Sequence, residues 1–168
     1  MPRKGCYIMQ HIHKYSYMES ERPALIGAIY GGLGHEDIKG TASVFWLPDS
    51  VYLEAQFEGL PASQVFGFHV HDGVVCTAEN GFSDAGKHLD LCGEGVWCGQ
   101  HPYHAGDLPP VFSGEDGAAV FGVHLDRAQV ENMSGKAMIL HSRPDDFTSQ
   151  PAGNSGIRIA CGILAENL

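Results

Sequence analysis

Two histidines one residue apart open the chemistry of this chain. In Gly67-Phe68-His69-Val70-His71, apolar and imidazole side chains alternate strictly, the pattern of a β-strand whose residues two apart share a face. His69 and His71 then project together, their Cα atoms roughly 7 Å apart, while Phe68 and Val70 point into a core. Two neutral imidazoles converging from a rigid strand make a half-site for a borderline-soft metal such as copper or zinc. Taken alone, the pattern also fits two solvent-facing histidines on an edge strand. A second set follows in His101-Pro102-Tyr103-His104-Ala105-Gly106-Asp107, with two histidines and a carboxylate at successive three-residue spacing. Pro102 and Gly106 disfavour a regular helix, so this reads as a tight loop wrapping one ion. Two imidazoles, a carboxylate and one further nitrogen complete a closed tetrahedral zinc site at about 2.0–2.2 Å, and His88 can supply that nitrogen. A competing reading takes Cys92, Cys98, His101 and His104 as a structural Cys2His2 zinc site. Its spacing departs from the usual finger pattern, no helix carries the histidines, and it leaves His69, His71, His88 and Asp107 unexplained.

The elements around these residues read as short strands. The 168 residues suit one domain with a sizeable core, expected over 23–168 after an N-terminal extension over 1–22. The 22 glycines are nearly twice the usual share and join 9 prolines, punctuation that favours turns over long helices. Strand patterns run over 24–30, 38–47, 51–57, 65–71, 118–125, 137–141 and 157–164. In the third, Val51, Leu53, Ala55 and Phe57 point one way and Tyr52, Glu54, Gln56 and Glu58 the other, as in a half-buried antiparallel strand. From Asp72 to Pro110 periodicity disappears in a span rich in Gly, His, Cys and Asp. A loop that long inside a compact domain is usually functional or disordered, and ligand residues would tie it down by metal. With no convincing helix, about eight short strands predict an all-β antiparallel sandwich or barrel.

The formal net charge of −10 argues against nucleic acid as a partner, and no apolar run reaches the length of a membrane span. The basic start, Met1-Pro2-Arg3-Lys4, is not followed by the apolar stretch and cleavage site of a secretory signal. The expectation is a cytoplasmic protein, or an exported one whose leader has been removed. Five cysteines, Cys6, Cys76, Cys92, Cys98 and Cys161, leave at least one unpaired if disulfides form. His11 and His13 repeat the two-residue spacing in a polar stretch best read as a solvated extension. His124, inside a strand pattern, reads as a surface or satisfied histidine.

Several segments in order now carry a resemblance: Gly67 to His71, Ala85-Gly86-Lys87-His88, His104-Ala105-Gly106-Asp107-Leu108, Gly135 to His141 followed by Asp145-Asp146, and Gly153-Asn154-Ser155-Gly156-Ile157-Arg158-Ile159-Ala160-Cys161-Gly162. Together they resemble the copper/zinc superoxide dismutase family, in its bacterial type with compressed zinc-ligand spacing. The resemblance implies a Greek-key β-barrel that converts superoxide to dioxygen and hydrogen peroxide by cycling copper between Cu(II) and Cu(I). It implies copper ligands His69, His71, His88 and His141, and zinc ligands His88, His101, His104 and Asp107, with His88 bridging the metals. Arg158 would stand at the open face of copper and, with His88, act in catalysis. Asp145 would hold ligand histidines of both sites through their other N–H groups, and Cys76 and Cys161 would form the family disulfide. Departures are Asp72 where the family usually has Glu, longer spans from Cys76 to His88 and from His88 to His101, and His101 only three residues before His104. Cys92 and Cys98 can close a second, small disulfide in the inserted loop. The expected partner is the superoxide anion, and a homodimer is compatible with the sequence. The alternative function is a non-catalytic copper-binding or copper-delivery domain on the same fold.

Overall fold

A computed structural model describes residues 22–91 and 99–168. Cys6, His11 and His13, with nearly all of the N-terminal extension, and Cys92 and Cys98 lie outside the described residues. Among the described residues ten strands form: β1 (Leu25–Gly31), β2 (Lys39–Trp46), β3 (Val51–Glu58), β4 (Val65–Phe66), β5 (Phe68–His71), β6 (Val111–Phe112), β7 (Ala119–Leu125), β8 (Ala137–His141), β9 (Arg158–Ile163) and β10 (Ala165–Glu166). One antiparallel sheet runs β5-β8-β9-β1-β2-β3-β7, with β10 added on β1, and β4 pairs with β6 in a separate two-stranded ladder. Neighbours distant in sequence, such as β5 beside β8, give the Greek-key order.

The sheet curls on itself. Phe68 of edge strand β5 packs edge-on against Phe57 of β3 and Phe121 of β7, ring centroids 5.5 and 5.3 Å apart. Those partners stand at the far end of the strand order, so the two ends face each other across one core. Phe68, Val70, Met138, Leu140, Leu53 and Phe57 fill that core at 2% exposure or less, each side chain contributing about 1.5–3 kcal/mol by burial. β4 runs into β5 through Gly67, and β6 leads on to β7, so the small ladder joins the two ends of the main sheet along the chain.

Three expectations are corrected. The strand expected over 65–71 is two strands, because Gly67 donates to the Arg143 carbonyl at 2.8 Å and its own carbonyl accepts the His141 N–H at 2.8 Å, which takes it out of the β4–β6 register. Tyr52 is buried, not solvent-facing: it joins Phe45 and Leu47 in a small apolar cluster on the outer surface. A short helical turn does form, α1 (Arg127–Val130), started by a capping box in which the Asp126 and Gln129 side chains exchange backbone contacts. Among the described residues, the long loop holds two 3-10 turns, Ala78–Asn80 and Ser83–Ala85. Among the described residues, no helix is long and apolar enough to cross a membrane.

Candidate metal centre

The wall β5–β8–β9 has two faces, and alternation assigns residues to each. Phe68 pairs with Leu140 and Val70 with Met138 on the inner face; His69 pairs with Ile139 and His71 with Ala137 on the outer face. The outer face would meet water in a bare barrel. Here it is covered by the long loop, so that His69 and His71 are 0% and 1% exposed. That burial excludes the solvent-facing reading of the pair. β5 is a sheet edge, and the loop satisfies it: Val70 N–H donates to the Gly106 carbonyl at 2.9 Å, Leu89 N–H to Val70 at 2.8 Å, and Asp72 N–H to Lys87 at 2.8 Å. These bonds set His88 across from His71 and Asp107 across from His69. A register shift between Leu140 and His141 brings Arg158 opposite His141, a bulge that re-aims side chains beside the site.

Two donor groups result, His69–His71–His88–His141 and His88–His101–His104–Asp107, each with ligand atoms within 4.8 Å of one another. His88 belongs to both. Its Nδ1 is 2.6 Å from Asp107 Oδ1, while its Nε2 is buried without a hydrogen-bond partner. Asp107 also lies close to the second group's other rings, 3.2 Å from His101 Nδ1 and 3.0 Å from His104 Nδ1, without hydrogen-bond geometry to either. Asp145 spans the two groups: Oδ2 accepts from His69 Nε2 and Oδ1 from His101 Nε2, both at 2.8 Å. Those bonds use one nitrogen of each ring and leave Nδ1 facing inward, buried and unpartnered in both. His71 likewise donates Nδ1 to the Gly86 carbonyl at 3.0 Å, and its Nε2 lies 3.4 Å from His141 Nε2. Buried nitrogens turned toward one another with no donor between them are costly unless a cation takes them up. The donor sets therefore fit metal ions: neutral imidazoles alone in the first, imidazoles with a carboxylate in the second.

Electrostatics agree with neutral, ligand-ready rings. Burial pushes His71 down to about 2 and His141 down to about 3, with neighbouring histidines adding to the effect. Burial also lowers His69, against the pull of Asp145. Burial would raise Asp145, but hydrogen bonds from His69, the Phe147 N–H and His101 outweigh it and hold the carboxyl well below its usual range.

Arg158 reaches into the loop, its Nη1 donating to the Phe82 carbonyl and its Nη2 to the Gly86 carbonyl. Gly86 thus ties Arg158 to His71 through one acceptor. Its φ of 74° suits glycine, and a Cβ there would sit 2.0 Å from Asp72 Oδ1. Asp72 Oδ1 accepts the Lys87 N–H at 2.9 Å, fixing the approach to His88. Cys76 and Cys161 are joined by a disulfide, Cα atoms 5.8 Å apart, within an apolar cluster of Phe82, Ala85 and Ile139 that seats the loop on β9. Of the Cys2His2 reading, His101 and His104 lie with His88 and Asp107. His124 is on the surface, 3.3 Å from Ser50 Oγ.

Residues 38–164 match the family model described as copper/zinc superoxide dismutase. The chain belongs to the copper/zinc superoxide dismutase family. It is 31% identical over 138 residues to the "Superoxide dismutase [Cu-Zn] 2" of Aquifex aeolicus, covering 76% of this chain and 80% of that one. It is 28% identical over 136 residues to the "Superoxide dismutase [Cu-Zn]" of Caulobacter vibrioides, covering 74% and 77%. Among solved structures it resembles the clock protein EA4 at a TM-score of 0.69 and 26% identity, over 87% of this chain and 96% of that one. It also resembles a double mutant of a SOD-like protein from Bacillus subtilis, at 0.68 and 27%, over 83% and 96%. The two donor groups are consistent with the copper and zinc of the superoxide dismutase family. Sequence reading missed the Gly86 carbonyl and the side chain of Gln150, which holds the His101 backbone (below); backbone acceptors and loop glutamines carry no chemical pattern that spacing could reveal.

Proposed function

We propose that the protein is an enzyme, a superoxide dismutase that turns two superoxide anions and two protons into dioxygen and hydrogen peroxide. One observation carries the reading: His88 is common to both donor groups, its Nδ1 bonded to Asp107 and its Nε2 buried with no hydrogen-bond partner, free for the group of His69, His71 and His141. His69, His71, His88 and His141 would hold copper, and His88, His101, His104 and Asp107 would hold zinc. When bound, copper supplies one-electron redox chemistry and zinc a fixed positive charge. Arg158 captures and orients the anion. Five N–H donors in a planar fork let it serve two backbone carbonyls and a substrate as well. At a net charge of −10, the whole chain does not attract superoxide, so a local positive focus beside the site is required. His88 takes a proton at Nε2 and releases it there to the departing peroxide, while Asp107 keeps the ring oriented through Nδ1. Asp145 keeps the His69 and His101 rings in the tautomers that turn Nδ1 inward.

The test is superoxide decay, followed with protein reconstituted with both metals and with metal content measured on the same sample. Near-diffusional acceleration with one copper and one zinc per chain is expected. Full copper loading without acceleration would overturn catalysis and assign a copper-holding or delivery role.

A further inference from the structure

The second donor group poses a positioning problem. His101, His104 and Asp107 stand three residues apart, and a span this compressed must hold His101 rigidly with little chain of its own. The structure holds it from another part of the molecule. Gln150 Oε1 accepts the His101 N–H at 3.1 Å, and Gln150 Nε2 donates to the His101 carbonyl at 2.6 Å. One amide side chain thus closes a two-bond clamp on the backbone of His101, as a neighbouring strand would. The segment that carries Gln150 is itself braced: Asp146 N–H donates to Gly153 at 2.9 Å, Gly153 N–H to Ser149 at 2.7 Å, and the Asp146 carboxylate accepts from the Ser149 N–H at 2.7 Å and Oγ at 2.6 Å. It also lies flush on the ring, since a Cβ at Gly153 would fall 2.7 Å from His101 Nε2.

We infer that Gln150 is a positioning residue for His101, and that zinc binding draws on the loop between His141 and Arg158 rather than on the zinc loop alone. The inference rests on the zinc assignment proposed above. It makes the loop beside the copper ligands a shared wall: Asp145 fixes the His101 ring and Gln150 its backbone.

Gln150→Met tests it, keeping length while removing both bonds. Gln56→Met, on an exposed strand position, serves as the control. Co(II) replaces zinc as a spectroscopic probe, and zinc affinity is read by chelator competition. Loss of a partner that orients a metal ligand typically costs about 10–100-fold in affinity; that weakening is expected for Gln150→Met, with an altered Co(II) band. The metal-free unfolding temperature should fall by only a few degrees, the cost of two lost hydrogen bonds, because Gln150 is exposed and fills no core. Wild-type zinc affinity and an unchanged Co(II) band in Gln150→Met would overturn the inference, as would a loss confined to metal-free stability. Absence of a tetrahedral Co(II) band in the wild type would instead overturn the zinc assignment, and this inference with it.

Discussion

On the inner face of β5, Phe68 packs on Phe57 and Phe121 in an apolar core that also buries Val70; one residue along, on the outer face, His69 and His71 meet buried imidazoles. The same four-residue strand serves both. The inner face is complete without any ion, because apolar side chains leave no bonding capacity unmet. The outer face is not: ring nitrogens of His69, His88, His101 and His104 are buried with no hydrogen-bond partner. The contrast shows how the fold divides its work. Hydrophobic closure builds a rigid wall, and that wall presents a polar layer that the carboxylates Asp107 and Asp145 close in part and whose remaining donors fit cations.

The largest effect that separates the two faces should come from Phe68→Ala. A large-to-small change in this core costs about 3–5 kcal/mol, and denaturant unfolding should show the same loss in metal-free and metal-loaded protein. A loss that vanished on metal loading would mean the two faces are not independent. Acid acts on the other face. In metal-free protein His71 and His141 stay neutral when folded, with values pushed down to about 2 and about 3, whereas the unfolded chain takes up protons near about 6.5. Their contribution is therefore full above that point and declines as pH falls toward 3. Thermal melts from pH 7 to pH 4 should show this decline, and its onset should shift to lower pH with metals bound, since protons then compete with ions for the same nitrogens. Arg158→Gln should be the mildest change: turnover should fall about tenfold, roughly 1.4 kcal/mol of activation, with a flatter salt dependence. An unaltered rate would remove Arg158 from anion capture.

Much of this contrast was legible in the residues. Strict alternation over Phe68–His71 separates an apolar face from an imidazole face, and the three-residue spacing of His101, His104 and Asp107 marks a donor set that the fold brings together with His88. Strand density points to an antiparallel sandwich or barrel, and the family resemblance implies its Greek-key order. What stayed hidden depends on long-range register. The break at Gly67 comes from hydrogen bonds to Arg143 and His141, more than seventy residues away, and Tyr52 is buried by Phe45 and Leu47 on a face that alternation gave to solvent. The clamp on His101 was equally invisible, because only the folded loop brings Gln150 to it.

The central claim is that one residue, His88, joins two metal sites. It is tested most directly by placing Co(II) in the second donor group and titrating copper into the first while recording the Co(II) visible spectrum. Wild-type protein should take up one equivalent of copper and shift the Co(II) band as it binds, and His88→Ala should abolish the shift. A Co(II) band indifferent to bound copper in the wild type would contradict the shared ligand, and with it the paired metal centre.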